Sequence, residues 1–160
     1  ELAYQRLRSA GLKIQSLSQI KPSQLKKVKK ILDSVLFRRV RHIVAENQRV
    51  KQALKAIEQK NFQKLGKLFD QAYKSSSQDY ENSIPELDYL VSLLGKTPGV
   101  LGTRIAGAGW GGCLVCLIKN LDWESLERKV KRLYQAKTGR ELTFFLLRTG
   151  FPLGEIHLTN

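Results

Sequence analysis

The chain has 160 residues, length for one domain with its own hydrophobic core, and 42% apolar and 8% aromatic residues exclude a disordered polypeptide. The longest apolar runs, Cys113 to Ile118 and Leu142 to Leu147, are far too short to cross a bilayer, so no membrane association is expected. The net charge of +14 is uneven: residues 1–60 hold 15 Lys/Arg against 4 Asp/Glu (+11), and residues 61–160 hold 13 against 10 (+3). Such a basic half suits an anionic partner or solvated helix faces beside another protein segment, and charge alone does not choose between them. Residues 1–19 alternate polar and apolar types without a signal-peptide pattern. There is no methionine, and Glu1 already lies in a helical pattern, so the chain is expected to be a piece of a longer polypeptide.

Residues 1–10 read as the end of a helix stopped by Gly11. "KPSQLKKVKKILDS" follows, with Ser23 as the expected N-cap and Leu25, Val28, Ile31 and Leu32 on one stripe. "VLFRRVRHIVAENQRVKQALKAIEQ" has the strongest periodicity. Leu36, Val40, Ile43, Val44, Val50, Leu54 and Ile57 recur at steps of three and four, which predicts a long amphipathic helix with its basic residues mostly outward. "NFQKLGKLFDQAYKSS" is the next helix, with Phe62, Leu65, Leu68, Phe69 and Ala72 facing in. A further helix over 84–94 has Ser83 as its expected N-cap, Pro85 in the first turn and Gly95 as its stop. The pattern then changes to a strand (99–106), a glycine loop (107–112), a second strand (113–119), a helix (122–137) ending at Gly139, and a third strand in "ELTFFLLR"; the tail after Thr149 reads as irregular. The expected fold class is therefore α+β: a helical block followed by a small, mostly antiparallel sheet in the order β-loop-β-α-β.

The segment "GTRIAGAGWGGCLVCLI" (102–118) carries the chemistry to be explained. Clustered glycines permit positive φ and let backbone approach backbone or ligand, and exposed N–H groups there can cradle an anion. A dinucleotide fingerprint needs a helix directly after the glycines, and "CLVCLIK" is strand. A Walker loop needs Gly-Lys-Ser/Thr, which is absent, and a protein-kinase flap needs "HRD" and "DFG" partners, also absent. Judged alone, the loop could also be a glycine-rich hairpin packing tightly on a neighbouring element. Cys113 and Cys116 have C-x-x-C spacing, but on a strand they point to opposite faces, so structural reduced thiols are expected.

"RRVRHIVAENQRV" (38–50), "DYENSIPELDYLV" (79–91) and "GVLGTRIAGAGWGGCLVCLI" (99–118), in this order and spacing, resemble the C-terminal half of galactokinases, members of the GHMP small-molecule kinase superfamily. The resemblance runs from Glu1, similar to the acidic position of the family's "RRxEC" helix, to about Arg148. It implies a GHMP kinase C-terminal domain over 1–160, with the N-terminal sugar- and ATP-binding domain of the same polypeptide absent from this chain. The implied activity is transfer of the ATP γ-phosphoryl group to galactose or a related sugar, in the cytoplasm. ATP and Mg²⁺ would be bound mainly by that absent domain, so no catalytic residue is assigned here and this chain alone is expected to be inactive. The family's third motif, "TGxGxGGC", lies beside its phosphate-binding loop. The resemblance carries that position onto Gly107, Ala108, Gly109, Trp110, Gly111 and Gly112, and onto Arg104. "GAGWGG" is more similar to the branch holding N-acetylgalactosamine kinases and yeast-type galactokinases.

The departures are Ala106 and Leu114, where the family has threonines, and "SSQDYENS" (76–83), where it commonly has "LRDDYEVS". They leave a rival expectation, a non-catalytic sugar- and ATP-sensing regulator or a basic binding module. His42 matches a packing residue of the family's "RxRH" helix. Asp79, Glu81, Glu86 and Asp88 resemble a metal cluster, but Glu86 and Asp88 do not face each other on a helix, and N-terminal charge on the helix dipole accounts for them better. Trp110 could stack on a base or sugar, or plug an apolar gap. Lys26, Lys27, Lys29 and Lys30 have no interleaved aromatics, so a solvated face rather than nucleic-acid binding is expected.

Overall fold

The computed structural model describes residues 1–119 and 122–147. They fall into two compact units, divided after Asp122. In the first unit, α1 (Leu2–Ser9) leads through two 3₁₀ turns (Leu17–Gln19 and Pro22–Gln24) to α2 (Leu25–Ile31) and the long α3 (Ser34–Glu58). Next come α4 (Phe62–Ser75), a π-helical turn (Ser76–Tyr80), α5 (Pro85–Leu94), and a hairpin of β1 (Val100–Ala106) and β2 (Cys113–Ile118). The expected α+β class and the helical block ahead of the sheet are observed.

Helix ends follow local chemistry. Gly11 has φ +84° and its N–H donates to the Arg8 carbonyl, so α1 stops where only glycine adopts the left-handed turn at little cost. Asp33 separates α2 from α3: its Oδ1 accepts the Leu36 N–H at 2.9 Å, and its other oxygen meets Arg6 at 2.8 Å. These two contacts, the backbone bond first, hold the Asp33 carboxyl below its usual range. Two expected caps are corrected. Ser23 lies inside the Pro22–Gln24 turn, where the Gln24 side chain instead accepts the Lys21 N–H. Ser83 does not cap α5; Ile84 precedes Pro85, and the Ser83 hydroxyl donates to Asp88 instead.

The larger core joins α1, α2 and the first half of α3 through Leu7, Val28, Leu32, Val40 and Val44. The second half of the expected α3 stripe is not core: Val50, Leu54 and Ile57 are each more than half exposed, while the small Ala56 is buried. Phe62, expected inside, is exposed as well. A second apolar cluster joins Tyr73, Leu87 and Ile105, with Ile84, Val91 and Leu114 against it. The β1–β2 hairpin is antiparallel, pairs Ala106 with Cys113, and slips register between Val100 and Gly102.

In the second unit α6 (Trp123–Thr138) carries Leu126, Val130 and Tyr134 on one stripe and ends at Gly139, φ +70°. The expected third strand is corrected: residues 141–147 form none, and among the described residues the sheet has two strands. Within this unit the described partner is a helix, which offers no edge for a ladder; the Phe144 ring packs edge-on against Trp123 instead. Arg148, the tail and His157 lie outside the described residues.

α4 meets β1 backbone to backbone. A Cβ built on Gly66 would lie 2.8 Å from the Leu101 Cβ, and one on Gly102 would lie 2.8 Å from the Gly66 Cα. Real Cβ atoms do not approach backbone this closely, so helix and strand would have to separate. We expect Gly66→Ala to cost about 3 kcal/mol in urea unfolding, although alanine favours a helix over glycine by roughly 1 kcal/mol. A neutral or stabilising result would show that α4 and β1 do not pack this closely.

Candidate functional site

The glycine loop is a six-residue bridge between β1 and β2 in which Gly107, Gly109, Trp110, Gly111 and Gly112 all have positive φ. A chain this far into the left-handed region needs external fixing, and Asn82 provides it. Its carbonyl accepts the Trp110 N–H at 2.6 Å, and its Nδ2 donates to the Ala108 carbonyl at 2.8 Å. Gly109 lies flat against this residue; a Cβ there would be 2.6 Å from Asn82 Nδ2. Gly107 and Gly112 face open space, and Gly111 only approaches Ile84.

Asn82 is itself held by α3. The preceding Glu81 takes φ +59°, a strained choice for a residue with a Cβ, worth roughly 1 kcal/mol or more. Arg38 and Arg39 grip its two carboxylate oxygens at 2.6 and 2.5 Å. Hydrogen bonds from Arg39 and Arg38 lower the Glu81 pKa. Arg39 also donates to the Asp79 carbonyl at 2.6 Å, and Arg41 pairs with the Asp79 carboxylate, which raises the arginine's own pKa. Lys51, Lys55 and Arg41 are exposed as expected, but Arg38 and Arg39 are half-buried, and with Arg41 they tie α3 to the turn that carries Asn82.

The carboxylates expected as a possible cluster are dispersed. Asp79 and Glu81 serve the arginines, while Asp88 accepts from Tyr73, Ser83 and Ser77. Burial, then the Asp88 bond, raises the Tyr73 hydroxyl well above its ordinary value. Glu86 and Asp88 lie in the first turn of α5, at the positive end of its dipole. His42 donates to or accepts from Ser75 Oγ at 3.0 Å and stacks on Tyr80 with centroids 4.9 Å apart. Burial lowers its pKa, which favours a neutral ring. Both cysteines are free, and burial pushes the Cys116 thiol up to about 11, which leaves it a poor nucleophile near neutral pH.

Between the loop and α3 lies a cavity of about 320 Å³. His42, Glu46, Tyr80, Asn82, Arg104 and Trp110 border it, together with the backbone of Gly107 and Ala108. The Trp110 side chain, 62% exposed, stands at its rim with its ring 6.4 Å from that of Tyr80, and so does not plug a gap within this chain. The Arg104 guanidinium lies 5.8 Å over the Phe69 ring. The structure thus joins Arg104, Gly107, Ala108 and Trp110 around one hollow, while Gly109, Gly111 and Gly112 do not line it.

The helical block and the glycine hairpin clamped on it have counterparts among known proteins. The profile of the family described as GHMP kinases C terminal matches residues 53–136. The galactokinase of Glaesserella parasuis is 38% identical over 119 residues, covering 72% of this chain and 30% of the relative. That of Clostridium beijerinckii is 38% identical over 135 residues, covering 84% and 35%. The crystal structure of Lactococcus lactis galactokinase complexed with galactose superposes with a TM-score of 0.81 and 34% identity, covering 87% of this chain and 36% of that one. The chain belongs to the GHMP kinase C-terminal family, and it spans about a third of the length of the galactokinases it matches.

Asn82 was not singled out by sequence reasoning. The available signal was its place in "DYENS", where the family pattern has "DYEVS": a polar side chain at an apolar position suggests a polar duty.

Two outcomes are expected at this site. Gly109→Ala should disorder the loop, seen as a changed Trp110 emission maximum and lower urea stability, whereas Gly107→Ala should cost only the left-handed penalty of roughly 1–2 kcal/mol. Equal losses would show that Asn82 does not set the loop. The Glu81 carboxyl has a folded pKa below its ordinary 4.5, so its stabilisation is full above that value and fades as pH falls through the folded pKa. The stability gap between the native chain and Glu81→Gln should therefore be constant near neutral pH and narrow as pH falls below the ordinary 4.5 and through the lowered folded pKa. A gap independent of pH would mean the carboxylate charge is not what holds the turn.

Proposed function

We propose that this chain is the C-terminal part of a sugar 1-kinase that transfers the γ-phosphoryl group of MgATP to the anomeric hydroxyl of galactose or a related sugar. The observation that carries the reading is the glycine hairpin, clamped by Asn82 within a chain similar to galactokinases over most of its own length. In this reading Gly107 to Gly112, with Arg104, shape one wall of the phosphoryl-transfer site. Such transfer depends chiefly on positioning and charge stabilisation, and a loop fixed by backbone hydrogen bonds supplies rigid positioning.

The donor groups present do not fit a magnesium ion. Among the described residues no group of three His, Cys, Asp or Glu side chains converges, and Asp79, Glu81 and Asp88 already serve other partners. No step is therefore assigned to a metal or nucleotide on this chain. Binding of both belongs to an N-terminal domain of the same polypeptide, the principal partner in this reading. Among the described residues no helix is long and apolar enough to cross a membrane.

The rival reading, a sugar- and ATP-sensing regulator, draws on Ala106 and Leu114. Leu114 packs against the Tyr73–Leu87–Ile105 cluster, so an apolar residue there serves the fold. The α3 arginines, already ion-paired, weaken the case for a nucleic-acid module.

Sugar-dependent ADP release by the longer polypeptide, assayed with galactose, N-acetylgalactosamine and arabinose, tests the kinase. Turnover is expected with at least one sugar and none from this chain alone. A folded longer polypeptide that binds MgATP and sugar without turnover would replace the kinase with the regulator.

A further inference from the structure

The lysines of α2 form a concentration of charge that the fold leaves without partners. Between Glu1 and Asp33 the chain carries eight Lys/Arg and no acidic residue. Both bordering carboxylates are engaged: Glu1 accepts from Gln5, and Asp33 holds Arg6 and the Leu36 N–H. On α2, Val28 is fully buried and Leu25 and Ile31 pack against the same core, so the apolar side of the helix is committed to the fold. At about 100° per residue, Lys26, Lys27, Lys29 and Lys30 fall on the opposite arc, and all four are exposed. Among the described residues none of them has a carboxylate partner. None of them lines the hollow beside the glycine loop.

This arrangement works against the helix. Lys26 with Lys29, Lys26 with Lys30, and Lys27 with Lys30 are like charges three or four residues apart, which repel on a helix surface. Lys26 and Lys27 also stand in the first turn, at the positive end of the helix dipole, where no acidic residue offsets them. A chain of net charge +14 has no need of such crowding for solubility. Exposure by itself fits the solvated face that the sequence predicts. The crowding, at the wrong end of the dipole, is what calls for an anion.

The chemistry of the face narrows the partner. No aromatic side chain interleaves with the lysines, so unpaired bases have nothing to stack on. The apolar residues of α2 face the core, which leaves none to enter a bilayer interface as membrane-surface helices do. Stable protein interfaces are built on buried aromatic and apolar anchors and are poor in lysine. A duplex phosphate backbone asks for none of these: clustered cations suffice, because the affinity comes from released counterions. We propose that the α2 lysine face binds the phosphate backbone of double-stranded nucleic acid without reading its sequence. The α3 arginines take no part, since Asp79 and Glu81 already hold them.

The test is titration of a labelled DNA duplex of about 20 base pairs with this chain, followed by fluorescence anisotropy from about 50 to 200 mM salt. Four phosphate contacts predict a slope of log K against log salt of about −3.6, or roughly a hundredfold weaker binding across that range. Lys26→Gln, Lys27→Gln, Lys29→Gln and Lys30→Gln combined should weaken binding about a hundredfold at the lower salt, and Lys27→Gln by itself should reduce the slope by about 0.9. Glutamine in place of Lys51, Lys55, Lys64 and Lys67, exposed on α3 and α4, removes the same charge and should change affinity by no more than about threefold. Because it relieves like-charge repulsion, the α2 variant should be at least as stable in urea as the native chain. Absent or salt-independent binding, equal losses from the two fourfold variants, or an α2 variant less stable than the native chain would each overturn the proposal. Tighter binding to vesicles of about one part phosphatidylserine to three of phosphatidylcholine would replace the duplex with an anionic bilayer. Tighter binding to poly-glutamate would replace it with an acidic protein segment.

Discussion

The paired hydrogen bonds between Asn82 and the backbone of Ala108 and Trp110 are the constraint on which the candidate site depends. A six-residue loop with five left-handed residues has no ladder of its own to define it. Each such conformation is reached at low cost by glycine, but low cost also means many alternatives. Two bonds to one buried side chain and its carbonyl remove those alternatives, and they form only because Gly109 has no Cβ to keep Asn82 away. The clamp extends backwards through Glu81 and Asp79 to three guanidinium groups on one stretch of α3. Helix, turn and loop are in this way one mechanical path.

The same device recurs where α4 meets β1. Gly66 and Gly102 bring helix and strand backbones into contact, and the Asp70 carboxylate accepts the Thr103 N–H at 2.9 Å beside that crossing. Exposed arginine–carboxylate pairs contribute little singly, about 0–1 kcal/mol. The α3 set matters because several donors converge on one short, strained turn, so that their geometry rather than their sum fixes Asn82.

These contacts also change how the charge is understood. A net charge of +14 suggests a surface that attracts anions at large. Yet Arg6, Arg38, Arg39 and Arg41 are each held by a carboxylate, on Asp33, Asp79 or Glu81, and serve the fold. Among the described residues, Arg104 beside the hollow has no carboxylate partner.

Much of the fold was legible in the residues. Periodicity located each helix, and Gly11 and Gly139 marked ends where positive φ is needed, because these are properties of a few consecutive residues. The motif order "RRVRH", "DYENS", "GAGWGG" pointed to the family, which the comparisons bear out. Three things were not legible. The third strand depends on an edge that residues 141–147 do not find in their unit. The outer half of the α3 stripe depends on what covers it, and Val50, Leu54 and Ile57 are exposed. The clamp joins residues 26 positions apart and its braces residues about 40 apart, separations at which sequence spacing carries no geometric information. The sequence by itself determined the helices, the glycine turns and the family, because local propensity and motif order are written in neighbouring residues. Only the tertiary structure decided that Asn82 holds the loop, that Arg38, Arg39 and Arg41 are braces, and that Asp88 serves Tyr73 and Ser83, because each of those is a choice of partner made across the fold.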